Sequence, residues 1–158
     1  MPQSVPEPEF DELYRELILD HYRSPRHHEP LVDADVVAEG YNPLCGDEVD
    51  VRIDFENGSV SDVSVGGRGC SISRASGSIM TDLVIGKPVQ DVRNLSELFN
   101  KMMTDPEGEP PEELGDLEAL QGVAKFPARV KCATLAWHTL EDGLKKREDG
   151  GHEVRHEE

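Results

Sequence analysis

Three cysteines and one carboxylate are the residues of this chain whose types and spacing could do chemistry. Cys45 and Asp47 stand two apart in Asn42-Pro43-Leu44-Cys45-Gly46-Asp47, Cys70 follows Gly69, and Cys132 comes much later. An odd number of cysteines in a reducing compartment argues against a disulfide framework and for metal or thiol chemistry. Three thiols and a carboxylate meet the four-coordinate demand of zinc or of an iron–sulfur centre, both of which thiolates bind well. The spacing lacks paired CxxC knuckles, so a zinc ribbon or finger is a poor match. The competing reading is that each cysteine is a small buried hydrophobe. Their placement at the two ends of a hairpin and at two helix starts favours a site.

The hairpin is what must bring the first of these residues together. Val49, Val51, Ile53 and Phe55 alternate with Asp50, Arg52, Asp54 and Glu56, the period-two pattern of a half-buried strand. Asn57-Gly58 supplies two residues that tolerate positive φ, as a tight turn requires. A return strand with Val60, Val63 and Val65 then runs into Gly66-Gly67-Arg68-Gly69-Cys70. Folding this hairpin closes its open end, so Cys45, Asp47 and Cys70 should meet there. Residues 31–40 suggest one more short strand ahead of it. The expected fold class is α+β: a small antiparallel sheet of three strands covered by helices.

Periodicity places those helices. Phe10, Leu13, Tyr14, Leu17 and Ile18 predict a helix from about residue 9 that ends before Pro25. After Cys70, Ser71 or Ser73 can cap a helix carrying Ile72, Ala75, Ile79 and Leu83 on one face, closed by Gly86 and Pro88. Cys70 thus falls at the positive end of a helix dipole, which favours thiolate over thiol. A second helix is expected over 94–103 and a short one over 116–123. The charged, proline-rich stretch 104–115 reads as a loop that cannot pack as core. The last helix opens at Pro127, with Val130, Ala133, Trp137, Leu140 and Leu144 on one stripe and Cys132 near its start. The organisation expected is a mobile tail over 1–8, one domain over 9–145 with an acidic insert at about 104–124, and a polar, disordered tail over 146–158.

Composition narrows the function classes. With 33 Asp and Glu against 16 Lys and Arg, the net charge of −17 repels phosphates and argues against nucleic-acid binding. The acidity fits either a solvated surface with acidic tails or a high-salt cytoplasm, where self-repulsion is screened. No stretch approaches the length of a membrane span and the N-terminus has no basic or apolar leader pattern, so no membrane partner and a cytoplasmic location are expected. His27 and His28, in a proline-flanked loop, read as exposed residues or alternative ligands. His138 falls beside the apolar stripe and reads as structural.

Four motifs in order then carry a resemblance. Asn42-Pro43-Leu44-Cys45-Gly46-Asp47, Gly69-Cys70 with Ser73-Arg74-Ala75-Ser76, Lys131-Cys132-Ala133-Thr134-Leu135-Ala136-Trp137, and the N-terminal LYRELILDHYRSPRH resemble the IscU/NifU-like iron–sulfur cluster assembly scaffold family. The similarity spans about residues 10–145. Within the family the chain is most similar to the SufU branch: the segment between Cys70 and Cys132 is long and acidic, and Lys131 stands where IscU-type scaffolds have a histidine.

That resemblance implies a zinc-dependent sulfurtransferase. It makes Cys45, Asp47, Cys70 and Cys132 the zinc ligands and Cys45 the acceptor of persulfide sulfur from a SufS-type cysteine desulfurase, with other iron–sulfur assembly proteins downstream. Docking would exchange a partner histidine for Cys45 on the metal. Arg129 matches an arginine of the SufU pattern that would pair with Asp47 when the site opens, or else is a helix-start surface arginine. Arg68 and Arg74 could also line the site. The alternative implied is a scaffold that assembles a [2Fe–2S] cluster on the same four residues and hands it on.

Overall fold

Two residues of positive φ turn the central hairpin: Asn57 at 53° and Gly58 at 78°. The strands they join are β2 (Asp47–Glu56) and β3 (Ser59–Arg68), preceded by α1 (Glu12–Arg23) and β1 (Val36–Asn42). The chain continues through α2 (Ser71–Val84), α3 (Val89–Thr104), a 3-10 stretch (Glu112–Lys125), α4 (Pro127–Glu148) and β4 (Glu153–Glu157). This computed structural model describes residues 12–105 and 107–157. The tail expected over 1–8, and the first residues expected of the N-terminal helix, lie outside the described residues.

The sheet has four strands in the order β3-β2-β1-β4. β1–β2 and β2–β3 are antiparallel, whereas β4 runs parallel to β1. Its inner face is set by the alternation read in the sequence. Val49, Val51 and Ile53 are buried with Val36, Ala38, Val60 and Val63, and α2 and α4 pack over them. Small residues let α4 approach closely. A Cβ on Gly143 would stand 2.8 Å from Ile53 Cδ1, and one on Gly40 would collide with the Thr139 hydroxyl. Trp137 and Phe99, both fully buried with ring centroids 5.5 Å apart, join α4 to α3.

The three-strand expectation is corrected by β4. The sequence suggests a polar, disordered tail over 146–158; in the structure α4 runs on to Glu148 and Glu153–Glu157 add a strand on the β1 edge. The added strand is held by backbone pairing and by two inward side chains. Val154 packs against the core and His156 Nδ1 meets Asp142 Oδ2 at 2.6 Å. The insert also differs: Leu114, in the stretch read as unable to pack, is fully buried, and Gly115 breaks the 3-10 stretch with φ 52°. β1 begins at Val36 rather than near residue 31, and α3 begins at Val89, five residues earlier than its apolar spacing suggested.

Candidate metal centre

Cys45 is presented by the tight connection between β1 and β2. Asn42 and Asp47 face each other as the last register pair of the two strands, leaving Pro43 to Gly46 as the turn. Asn42, itself buried, shapes that turn from within: its Oδ1 accepts from the Leu44 N–H at 3.0 Å and its carbonyl from the Gly46 N–H at 2.8 Å. A short Asn side chain that bonds the backbone two residues on is a turn-forming device. Leu44 and Cys45 are exposed as a result.

Cys70 arrives from the other arm of the hairpin. Gly67 holds φ 114°, and a Cβ there would lie 2.1 Å from the Glu48 carbonyl oxygen, so only glycine allows β3 to run this close to β2. The pairing sets Arg68 opposite Glu48, and two residues later Cys70 starts α2. The helix cap is not Ser71 or Ser73. The Cys70 sulfur accepts from the Ser73 N–H at 3.5 Å and so takes the N-cap role itself. A thiolate in that position satisfies an orphan helix donor and sits at the positive end of the dipole.

Cys132 comes from the second turn of α4 and is 1% exposed. Its Sγ lies 3.3 Å from Cys45 Sγ, so residues 87 positions apart meet. Asp47, 2% exposed, stands among the thiols. Its Oδ2 accepts from Cys45 Sγ at 3.1 Å and lies 3.7 Å from Cys70 Sγ, while its Oδ1 accepts from the Cys70 N–H at 3.0 Å. The donor atoms of Cys45, Asp47 and Cys132 all lie within 4.8 Å of one another, and Cys70 borders them through Asp47.

The thiols share protons unequally. Hydrogen bonding from Cys132 brings the Cys70 thiol down to about 7, against the opposing effect of burial. Cys132 is pushed far up, first by donating a hydrogen bond to Cys70 and then by burial. Burial and the Asp47 carboxylate raise Cys45.

This donor set fits a tetrahedral metal ion. Zinc–sulfur bonds near 2.3 Å at tetrahedral angles require sulfurs about 3.8 Å apart, and about 3.5 Å between sulfur and a carboxylate oxygen. The spacings of 3.1 and 3.3 Å that join Cys45 to Asp47 and to Cys132 need only small outward shifts. Cys70, 3.7 Å from Asp47 Oδ2, stands outside the group whose donor atoms all lie within 4.8 Å of one another and must swing inward to become a fourth ligand. The same spacing is far beyond a disulfide bond, and all three cysteines are free.

The other residues singled out in the sequence are placed as follows. Arg129 lies in the first turn of α4, three residues before Cys132, half-buried. Lys131 is exposed. His27 Nε2 pairs with Asp82 at 3.3 Å and His28 Nδ1 meets the Pro25 carbonyl at 3.0 Å, so neither reaches the thiols. His138 Nε2 meets Asn100 Oδ1 at 3.1 Å. Arg68 reaches Glu48, and Arg74 lies over the Tyr22 ring. Asn42 and Gly67 were missed as site residues. The Asn42-Pro43 dipeptide was the available signal for the first, since Asn-Pro favours turn initiation.

A mixed sheet of this order, with a thiol–carboxylate cluster where the hairpin opens against two helix starts, defines a small metal- or sulfur-handling α+β domain. A family model of the NifU-like N terminal domain matches residues 13–145, and the chain belongs to that family. It is 46% identical over 141 residues to the zinc-dependent sulfurtransferase SufU of Bacillus subtilis (strain 168), covering 89% of this chain and 95% of that one. It is 39% identical over 143 residues to the iron–sulfur cluster assembly scaffold protein IscU of Streptococcus pyogenes serotype M1, covering 90% and 89%. Among solved structures it resembles a proposed scaffold protein of the SUF system from Fervidobacterium islandicum AW-1. There the TM-score is 0.76 at 36% identity, covering 82% of this chain and 94% of that one. The N-terminal part of a NifU-like protein from Brucella abortus shares the fold, with a TM-score of 0.80 at 24% identity over 88% of this chain and 96% of that one.

Proposed function

We propose that this protein is a zinc-bound sulfur acceptor that takes persulfide sulfur from a SufS-type cysteine desulfurase for iron–sulfur cluster assembly. The observation that carries this reading is the convergence of Cys45, Asp47, Cys70 and Cys132, with Cys45 alone exposed on a turn. Likeness to a relative named for zinc-dependent sulfur transfer supports it. Those four residues would hold the ion, and zinc would supply the charge that keeps their thiols ionised at neutral pH.

Each residue then has a task. Cys45, exposed on its turn, is the nucleophile. Its thiolate attacks the outer sulfur of the donor's persulfide, a sulfur–sulfur bond forms on Cys45, the donor's own sulfur–sulfur bond breaks, and the donor leaves as a thiolate. Asp47 orients the pocket by fixing the Cys70 backbone and accepting from Cys45. Cys132 closes the site from the core side, and Cys70 is held at a helix start that stabilises its charge. Arg129, one turn before Cys132, offsets the surplus negative charge of three thiolates and a carboxylate and pairs with Asp47 when the site opens.

The test is metal analysis of the purified protein followed by cysteine turnover of the desulfurase with and without it. One zinc per chain and a large rise in turnover are expected; no rise in turnover would refute the reading. A scaffold holding a [2Fe–2S] cluster on the same four residues is the second reading, favoured by likeness to the Streptococcus pyogenes relative. Anaerobic reconstitution separates the two, because a stable cluster that can be handed on at full occupancy belongs to the scaffold.

A further inference from the structure

The chain carries a net charge of −17, yet a cavity beside the metal centre is lined by three arginines. It encloses about 170 Å³ between the loop after α1, the open end of the β2–β3 hairpin and the first turns of α2. Arg26 and His28 line it from the loop, Arg68 from β3 and Arg74 from α2, with Glu48 as the one acidic residue among the described lining residues. The charges are not equally occupied. Arg26 is held by Asp20 at 3.1 Å and the Ser24 carbonyl at 2.8 Å. Arg68 reaches Glu48 only at 3.4 Å with its side chain 85% exposed. Arg74 lies 5.6 Å from the centroid of the Tyr22 ring, and no ion pair is found for it among the described residues.

The cavity shares its wall with the site. Glu48 follows Asp47, and Ser73, which also lines it, donates its backbone N–H to Cys70 Sγ. Whatever is seated there lies against the structure that holds the thiols. The volume admits a group the size of one side chain and excludes a nucleotide. Two under-occupied guanidiniums select a planar anion, and a carboxylate matches their paired donors. The chain's net charge of −17 opposes an acidic partner at long range, so a cationic recess would fix the orientation of its approach.

We infer that this cavity seats a carboxylate of the sulfur-donating protein and so docks the donor beside the exposed Cys45 turn. The inference rests on the sulfur-acceptor reading and adds to it where the partner is gripped and by what chemistry. Arg68 and Arg74 are positioning residues here; neither touches the transferred sulfur.

The test uses the full, zinc-loaded chain with Arg68→Glu and Arg74→Glu combined. It is titrated against a SufS-type cysteine desulfurase by fluorescence anisotropy and, in parallel, by cysteine turnover. The concentration for half-maximal stimulation and the Kd should both rise about tenfold, the scale of losing charge pairs at an interface. The plateau rate and the zinc content should not change. The pair Arg68→Lys and Arg74→Lys should recover only part of the affinity, because an ammonium keeps the charge but lacks the guanidinium's paired donors. If the double variant misfolds, judged by far-ultraviolet circular dichroism, Arg74→Gln carries the same test alone. An unchanged half-saturation point, or a lowered plateau at unchanged half-saturation, would overturn the docking site while leaving sulfur acceptance intact. A wild-type protein that neither binds nor stimulates the desulfurase would overturn both.

Discussion

Asp47 has two jobs that a pair of substitutions can separate. Its Oδ1 accepts the Cys70 N–H at 3.0 Å, and its Oδ2 lies within reach of Cys45 and Cys70 sulfurs at 3.1 and 3.7 Å. Asp47→Asn keeps an oxygen for the Cys70 N–H but removes the anionic ligand, whereas Asp47→Ala removes both. Leaving that N–H without its charged acceptor costs about 1–3 kcal/mol. The metal-free Ala variant should therefore lose about that much in urea denaturation, and the metal-free Asn variant less than about 1 kcal/mol. Zinc affinity should fall in both by about a hundredfold or more, roughly 2.8 kcal/mol, as each lacks one of the four proposed ligands. Competition against a chromophoric chelator measures it. Equal stability loss in the two variants, or wild-type zinc affinity in either, would refute the division of labour.

Three further perturbations probe the frame. Gly67→Ala places a Cβ against the Glu48 carbonyl in a left-handed backbone, so β2 and β3 must part there; stability should fall by about 2 kcal/mol or more, and zinc affinity with it. Wild-type zinc affinity in that variant would mean the hairpin register does not set the site. Deleting 150–158 removes β4, exposes the edge of β1 and uncovers Val154's contact, costing about 1–2 kcal/mol, with concentration-dependent association read by light scattering; a monomer of unchanged melting temperature would speak against a structural strand. His21 is buried with Nδ1 2.7 Å from Ser78 Oγ, and burial, then Arg26, lower its pKa below the ordinary 6.5. The unfolded chain takes up the proton more readily, so this contribution is complete above about 6.5 and is lost as pH falls below it. His21→Gln should flatten the melting profile between pH 7 and 5, and an unchanged slope would exclude His21 as a source.

The hairpin and its chemistry were legible because the signals are local. Alternation at 49–56, the Asn57-Gly58 turn and the neighbouring cysteines are all written within a few residues of one another, and hairpin geometry brings their ends together without long-range information. Cys132 needed more: only its place at a helix start and the family motif joined it to the others. β4 was not legible. Glu153-Val154-Arg155-His156-Glu157 has one apolar residue, and its pairing with β1 is a contact between segments more than a hundred residues apart. Leu114 was missed for a related reason, a single apolar residue inside a charged, proline-rich run that composition marked as loop. The Cys70 cap was hidden by better-known capping residues just after it, Ser71 and Ser73.

The most direct test of sulfur acceptance is intact-protein and peptide mass spectrometry of the zinc-loaded chain after one turnover with the desulfurase and cysteine, quenched by a thiol-blocking reagent. The account predicts the added mass of one sulfur atom on Cys45, absent in Cys45→Ser and absent when cysteine is omitted. Sulfur found on Cys70 or Cys132 with Cys45 unmodified, or no added sulfur while the desulfurase turns over, would contradict it.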